Sequence, residues 1–228
     1  MAEIQGLNVR EGRNYLDVQS KKGVISFVAP AFGPGTYANV GNQIIESGLA
    51  QPTMAQTAHL VHGTWQNPKE KYSSDIINKL KNNWLWGFNG LLYVPNEGIY
   101  VQDRPKIKDG RVVMDKNDLA NKLGSKDPSV RFVPFGTFNR EKQSSLELAK
   151  NPFVQALAGE EGADKLAQVA DKYKFKPFVW TIDKGNVNEP ITRVASLYSY
   201  RDIDVVRLHV NGNYWGDYNV GYAFGVSK

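Results

Sequence analysis

The order of elements along the chain predicts an α+β fold, with helices gathered early and strands dominating the second half. Three observations carry that expectation. Thr53 and Gln56 form a capping-box pair, and Met54, Ala58, Val61 and Trp65 follow at helical spacing. A second helix starts near Ser73 or Ser74, with Ile76, Ile77, Leu80 and Trp84 on one face. Near the other end, Val206, Leu208 and Val210 alternate with Arg207, His209 and Asn211. Strict alternation is the pattern of a half-buried strand. It predicts that Arg207, His209 and Asn211 point outward while Leu208 and Val210 hold the strand down.

Taken in order, residues 1–50 carry the weakest pattern. Residues 23–28 read as a strand that the Pro30 to Gly35 cluster breaks, and residues 37–47 as a short helix ahead of Gly48. After the two helices, the apolar run from Trp84 to Phe88 leads into strands at 91–94 and 99–102. The turn Pro95-Asn96-Glu97-Gly98 joins them. Residues 103–115 form a polar loop with a brief strand at 111–114, residues 116–123 a helix, and residues 130–135 a strand. Ser144 with Glu147 is a second capping box, for a helix that ends near Asn151. Pro152 then opens a helix that Gly159 stops, and residues 160–173 carry Leu166, Val169, Ala170 and Tyr173 at helical spacing. Residues 178–182 read as a strand, 183–190 as a loop and 191–197 as a strand entering the C-terminal stretch. Trp65, Trp84, Trp86 and Trp180 sit at helical or strand spacing among Leu, Ile and Val, which predicts core packing for all four.

Composition excludes several classes. The 228 residues, 41% hydrophobic and 11% aromatic, are globular and suffice for one well-buried core, in one domain or two. No run of 18 apolar residues occurs, so no membrane span is expected. The opening MAEIQGLNVREGRNYLDV lacks the basic and apolar regions of a secretory signal, which leaves the compartment open. Zero Cys removes disulfides, thiol catalysis and Cys-ligated zinc. The net charge is +5, but apart from Lys172, Lys174 and Lys176 the basic residues are scattered. Nucleic-acid binders concentrate theirs in a patch or stripe, so no nucleic-acid partner is expected. Serine-nucleophile elbows, phosphate-binding Gly loops and dinucleotide fingerprints are absent, and no cofactor is expected.

The C-terminal stretch, residues 194–226, is set apart by what it lacks. It has no Lys, Glu, Gln or Met, although these make up 41 of the 193 residues before it. At that rate about seven would be expected in 33 positions. What it holds instead is Tyr, Asn, Asp, Ser and Gly, the composition of a paratope. Tyrosine gives large, stiff contact area, and Asn, Ser and Gly give adaptable hydrogen bonding.

On these residues the chain resembles the variable proteins of diversity-generating retroelements, in particular the archaeal, Nanoarchaeota-type ones. In that family adenine-directed mutagenesis rewrites chosen codons near the 3′ end of the gene, so Lys, Glu, Gln, Met and Trp cannot arise from Asn-type codons. The missing residue types match, Trp215 is the exception, and residues 221–226 (GYAFGV) resemble the fixed closing strand. Upstream, LYVPNEG (92–98), VRFVPFG (130–136) and LAGEEGA (157–163) resemble the body of the archaeal members, so the resemblance spans roughly residues 50–228. It implies a single C-type-lectin-like domain over 1–228, with N-terminal helices, a mostly antiparallel sheet and a variable region, 194–226, displayed on the surface. The function implied is non-enzymatic ligand binding to a macromolecule, a protein or cell-surface component. The ligand-facing residues would be Tyr198, Tyr200, Arg201, Asp202, Asp204, Arg207, His209, Asn211, Asn213, Tyr214, Asp217, Tyr218, Asn219 and Tyr222.

Two alternatives stand beside that reading. His59 and His62 share a helix face at i, i+3, and with His209 folded over them they could hold a catalytic metal for a hydrolase. No H-E-x-x-H motif accompanies them. A calcium-dependent glycan-binding lectin is the other, on Glu189-Pro190 and Trp215-Gly216-Asp217. Each pair lacks its asparagine, and calcium requires six to eight oxygens.

Overall fold

The computed structural model describes residues 14–199, 201–202 and 205–228. The chain runs through a hairpin of β1 (Asn14–Ser20) and β2 (Gly23–Ala29), then β3 (Phe32–Gly35) and α1 (Tyr37–Glu46). Two helices follow, α2 (Met54–Gln66) and α3 (Ser73–Asn82), and then the long β4 (Trp84–Val94). Next come β5 (Gly98–Asp103), the small hairpin of β6 (Lys106–Lys108) and β7 (Arg111–Val113), α4 (Lys116–Gly124) and β8 (Val130–Pro134). β9 (Glu141–Lys142), α5 (Ser145–Lys150) and α6 (Pro152–Ala170) lead to β10 (Phe178–Trp180). β11 (Ile191–Tyr198), the backbone hairpin of β12 (Arg201–Asp202) and β13 (Val205–Val206), β14 (His209–Tyr214) and β15 (Gly221–Ala223) close it.

The helix ends are set by local chemistry. Gln56 N donates to Thr53 Oγ1 and Thr53 N donates to Gln56 Oε1, so the capping box at the start of α2 is complete. Ser144 and Glu147 repeat it at α5. Pro152 opens α6, and Gly159, at φ 70° and ψ 168°, breaks its helical path as a left-handed residue must. The two helices expected on either side of Gly159 thus meet at a kink within α6.

Nine of the described strands share one sheet, in the order β3-β15-β4-β11-β14-β10-β9, with β5 and then β8 branching from β4. Pairing is antiparallel except for β15 with β4 and β10 with β14. β4 organises the sheet. One of its edges pairs with β11; the other is taken by β15 at Trp84–Leu85 and by β5 from Asn89 onward. Every β4 residue after Trp84 is buried, because both faces are covered. Leu85, Leu91 and Tyr93 belong to the main core with α2, α3 and α6. Trp86 and Phe88 belong to a second cluster with Tyr37, Val40 and Ile44 of α1.

Three expectations about elements need correction. Trp84 does not extend the helical face of α3: the helix ends at Asn83, whose backbone is extended, and Trp84 starts β4. Residues 32–35 do not only break a strand; they form β3, the edge partner of β15. The loop after β5 contains a full hairpin, β6–β7, because Asp109 and Gly110 both adopt positive φ and turn it tightly.

Candidate functional site

The C-terminal stretch does not behave as one surface. Its middle is interior. β14 lies between β11 and β10, paired on both edges. Leu208 and Val210 are fully buried, as the alternation predicts. The opposite face is buried too, which corrects the expectation that Arg207, His209 and Asn211 point outward; they are 9%, 7% and 5% exposed. Alternation marks two faces, and here both are covered.

The covering groups are specific. The His209 ring stacks on Tyr198, with centroids 4.5 Å apart and planes within 4°, and on its other side faces Trp180 at 6.4 Å. Trp180 Nε1 donates to His209 Nδ1 at 2.9 Å. An indole N–H can only donate, so Nδ1 accepts and the proton of the neutral ring sits on Nε2. Burial, with the charge of Arg207 second, pushes the His209 pKa down to about 4. Asn211 turns back on its own strand, its Oδ1 accepting from Asn213 N at 2.7 Å. Trp180, expected in the core, is 40% exposed as the lid on His209.

Close approach requires glycine twice, once in β14 and once where β15 meets β4. A Cβ at Gly212 would lie 2.4 Å from the Phe153 ring of α6, and one at Gly221 would lie 2.0 Å from Trp86 Nε1. Neither position tolerates a side chain without moving core rings.

The outer part begins at Asn213. Tyr214 leans edge-on against Trp84 with centroids 3.8 Å apart, Tyr218 is 4.9 Å from the same indole, and Tyr198 is 6.0 Å away. Beneath them Trp86 is fully buried and donates from Nε1 to Gly35 O at 3.2 Å. The result is a graded aromatic cluster, from buried Trp86 through half-buried Trp84, Tyr198 and Tyr214 to Tyr218, which is 55% exposed. Burial, then neighbouring Tyr218 and Tyr198, raises the Tyr214 pKa, so its phenol stays protonated. Trp84 is the one member that sequence spacing assigned elsewhere. The tertiary pairing of β4 with β11 and β15 brings it to this face.

Next to the cluster Trp215 is 70% exposed and lies flat on the Arg193 guanidinium, 3.3 Å from its ring centroid. Arg193 is itself held by its Nε donating to Asn213 Oδ1 and its Nη1 donating to Thr192 O. Gly216, at φ 85°, turns the loop, and its carbonyl accepts from Tyr37 N at 2.9 Å. Asp217, Tyr218, Asn219 and Val220 then run exposed over the sheet end. Tyr222 is half-buried against the main core, under the Lys79 ammonium at 4.9 Å. Of the remaining expected ligand-facing residues, Tyr200 and Asp204 lie outside the described residues, and Arg201 and Asp202 are described in their backbone alone.

The three histidines do not assemble, which corrects the hydrolase alternative. His59 Nδ1 meets Ala55 O at 2.7 Å and its Nε2 lies 3.1 Å from Glu161 Oε1. His62 Nε2 meets Gln168 Oε1 at 2.8 Å, and His209 is committed to Trp180. No group of three or more His, Asp or Glu side chains able to hold a metal forms among the described residues, at Glu189 and Asp217 included.

No family model and no curated sequence matches the chain. A solved structure does, one reported under the words "Accommodation of massive sequence variation in Nanoarchaeota by the C-type lectin fold". The match covers 87% of this chain and 96% of that one, with a TM-score of 0.57 and 15% identity. The fold of this chain is therefore the C-type lectin fold, α+β with a mostly antiparallel sheet.

Proposed function

We propose that the chain is a non-enzymatic binding protein whose recognition surface is the outer part of the 194–226 stretch, and that a diversity-generating retroelement rewrites codons there. The observation that carries this is the graded aromatic cluster. Trp84 and Trp86 give it a rigid floor, Tyr198, Tyr214 and Tyr218 stand on it, and Trp215 lies beside it on Arg193, with Asn213, Asp217 and Asn219 nearby in the chain. Stiff aromatic anchors among short polar side chains suit a protein or other macromolecular surface. In the stretch Arg201 and Arg207 are outnumbered by Asp202, Asp204 and Asp217, which argues against nucleic acid as its ligand. The solved C-type lectin structure, reported for its accommodation of sequence variation, supports the same reading.

Two experiments separate the parts of the proposal. The DNA beside the gene should hold a near-repeat of the 3′ end differing at adenines, together with a reverse transcriptase. Without them, diversification fails and binding alone is left. For the surface, a library randomised at residues 213, 217, 218 and 219 should be mostly folded and should yield binders when panned on a panel of test proteins. A folded library that yields none would overturn the recognition surface.

A further inference from the structure

Away from that surface the end of α2, the end of α3 and the segment after α6 enclose a cleft of about 480 Å³. Trp65, Tyr173 and Phe175 give it aromatic walls, and Lys81, Lys172 and Lys174 stand around it. Among the described residues no Asp or Glu lines it. None of the three lysines forms an ion pair among the described residues; Lys81 lies over the Trp65 ring at 5.6 Å and Lys174 over Phe175 at 5.7 Å. Three like charges around one concavity repel each other and raise the local potential for an anion.

A second, independent observation points the same way. The Tyr173 hydroxyl stands beside Ser199 and the Trp65 indole, and burial pushes its pKa up to about 12. Yet neither Tyr173 Oη nor Trp65 Nε1 completes a hydrogen bond of good geometry. Behind Phe175 the Arg207 guanidinium sits 5.9 Å from that ring, with its Nη1 buried and unpartnered. The indole N–H and the phenol partly serve each other, whereas the buried Arg207 Nη1 behind Phe175 is a donor without an acceptor, which is uncommon and costly.

We propose that this cleft is a second binding site, for a small compound carrying a phosphoryl group on a planar body, a nucleoside monophosphate being the plainest case. The phosphoryl group meets the lysines, which bind phosphate as point charges, and the planar body lies against the aromatic walls. The volume is that of a single small ligand, and the lysines ring one concavity without forming a track. Both features favour a small molecule over a nucleic-acid strand.

Calorimetry on the full chain at about 50 mM salt tests this with adenosine monophosphate, adenosine and inorganic phosphate as separate titrants. The monophosphate should bind with a Kd below about 1 mM, and each fragment should bind at least about tenfold more weakly. A Lys81→Gln/Lys172→Gln/Lys174→Gln variant should weaken the monophosphate by about tenfold or more at unchanged melting temperature, since all three lysines are exposed. Trp65→Phe, which keeps a ring but removes the indole donor, should weaken it less. Tyr218→Ala, on the recognition surface, should leave it unchanged, so the two sites can fail separately. The site is overturned if the monophosphate does not bind, if the lysine variant binds it as well as the parent, or if an oligothymidylate binds in its place.

Discussion

Residues 207–212 and 213–220 are adjacent and alike in composition, both mixing Asn, Gly, Tyr or His with apolar residues, yet their fates are opposite. All six of the first run are buried. In the second, Trp215, Asp217, Tyr218, Asn219 and Val220 are exposed. The difference is neighbourhood. The first run has a strand on each edge and aromatic rings across its polar face, whereas the second has left the sheet at the Gly216 turn. Within a stretch of this composition, the polar residues of the inner run are structural, while Asp217, Tyr218 and Asn219 of the outer run stand exposed.

The largest effects should come from the inner run and the closing strand. Phe224→Ala should cost roughly 3–5 kcal/mol and Leu208→Ala roughly 2–5 kcal/mol in denaturant unfolding, because both side chains are almost wholly buried. A cost below about 1 kcal/mol at Leu208 would mean that β14 is not the interior strand described here.

Next in size is a pH effect at His209. Its folded pKa, near 4, lies below the ordinary 6.5, so between these values the unfolded chain binds a proton that the folded chain does not. Stability should therefore fall as pH drops from about 6.5 to about 4 and level off below, by at most roughly 3 kcal/mol. His62, also held low by burial, acts in the same direction, so the comparison is with His209→Gln. That variant should show a shallower loss over the same window, and an unchanged slope would place His209 in solvent.

Smaller again are the half-buried tyrosines. Tyr198→Ala and Tyr214→Ala should each cost about 1–2 kcal/mol, from lost ring contacts with Trp84 and, for Tyr198, with His209. The smallest effects should lie in the outer run. Trp215→Ala, Asp217→Ser, Tyr218→Ala and Asn219→Ser should each stay within about 0.5 kcal/mol by thermal melting, and a variant combining all four should still fold. Unfolding of that combination would erase the contrast between the two runs.

Much of this fold is legible in the sequence wherever the cause is local. The capping boxes at Thr53 and Ser144 depend on side chains three residues apart, and both form where the pattern places them. Pro152 opens a helix and Gly159 interrupts it because each restricts or frees its own backbone. Leu208 and Val210 are buried, as alternation requires. The aromatic cluster was legible only in part. Its tyrosines stand out by composition, but Trp84 belongs to it through a strand pairing 137 positions away, with Gly221.

The sequence by itself determined the capped helix starts at Thr53 and Ser144, the α+β class and the inward face of β14, because period and capping act within a few residues. The tertiary structure alone decided that the polar face of β14 is also interior, since β10 and Trp180 come from elsewhere in the chain. It likewise separated His209 from His59 and His62 and gathered Trp65, Tyr173 and Phe175 into one cleft with Lys81, Lys172 and Lys174. Exposure depends on what packs against a residue, and that partner is set by topology, not by the residue's own neighbours in sequence.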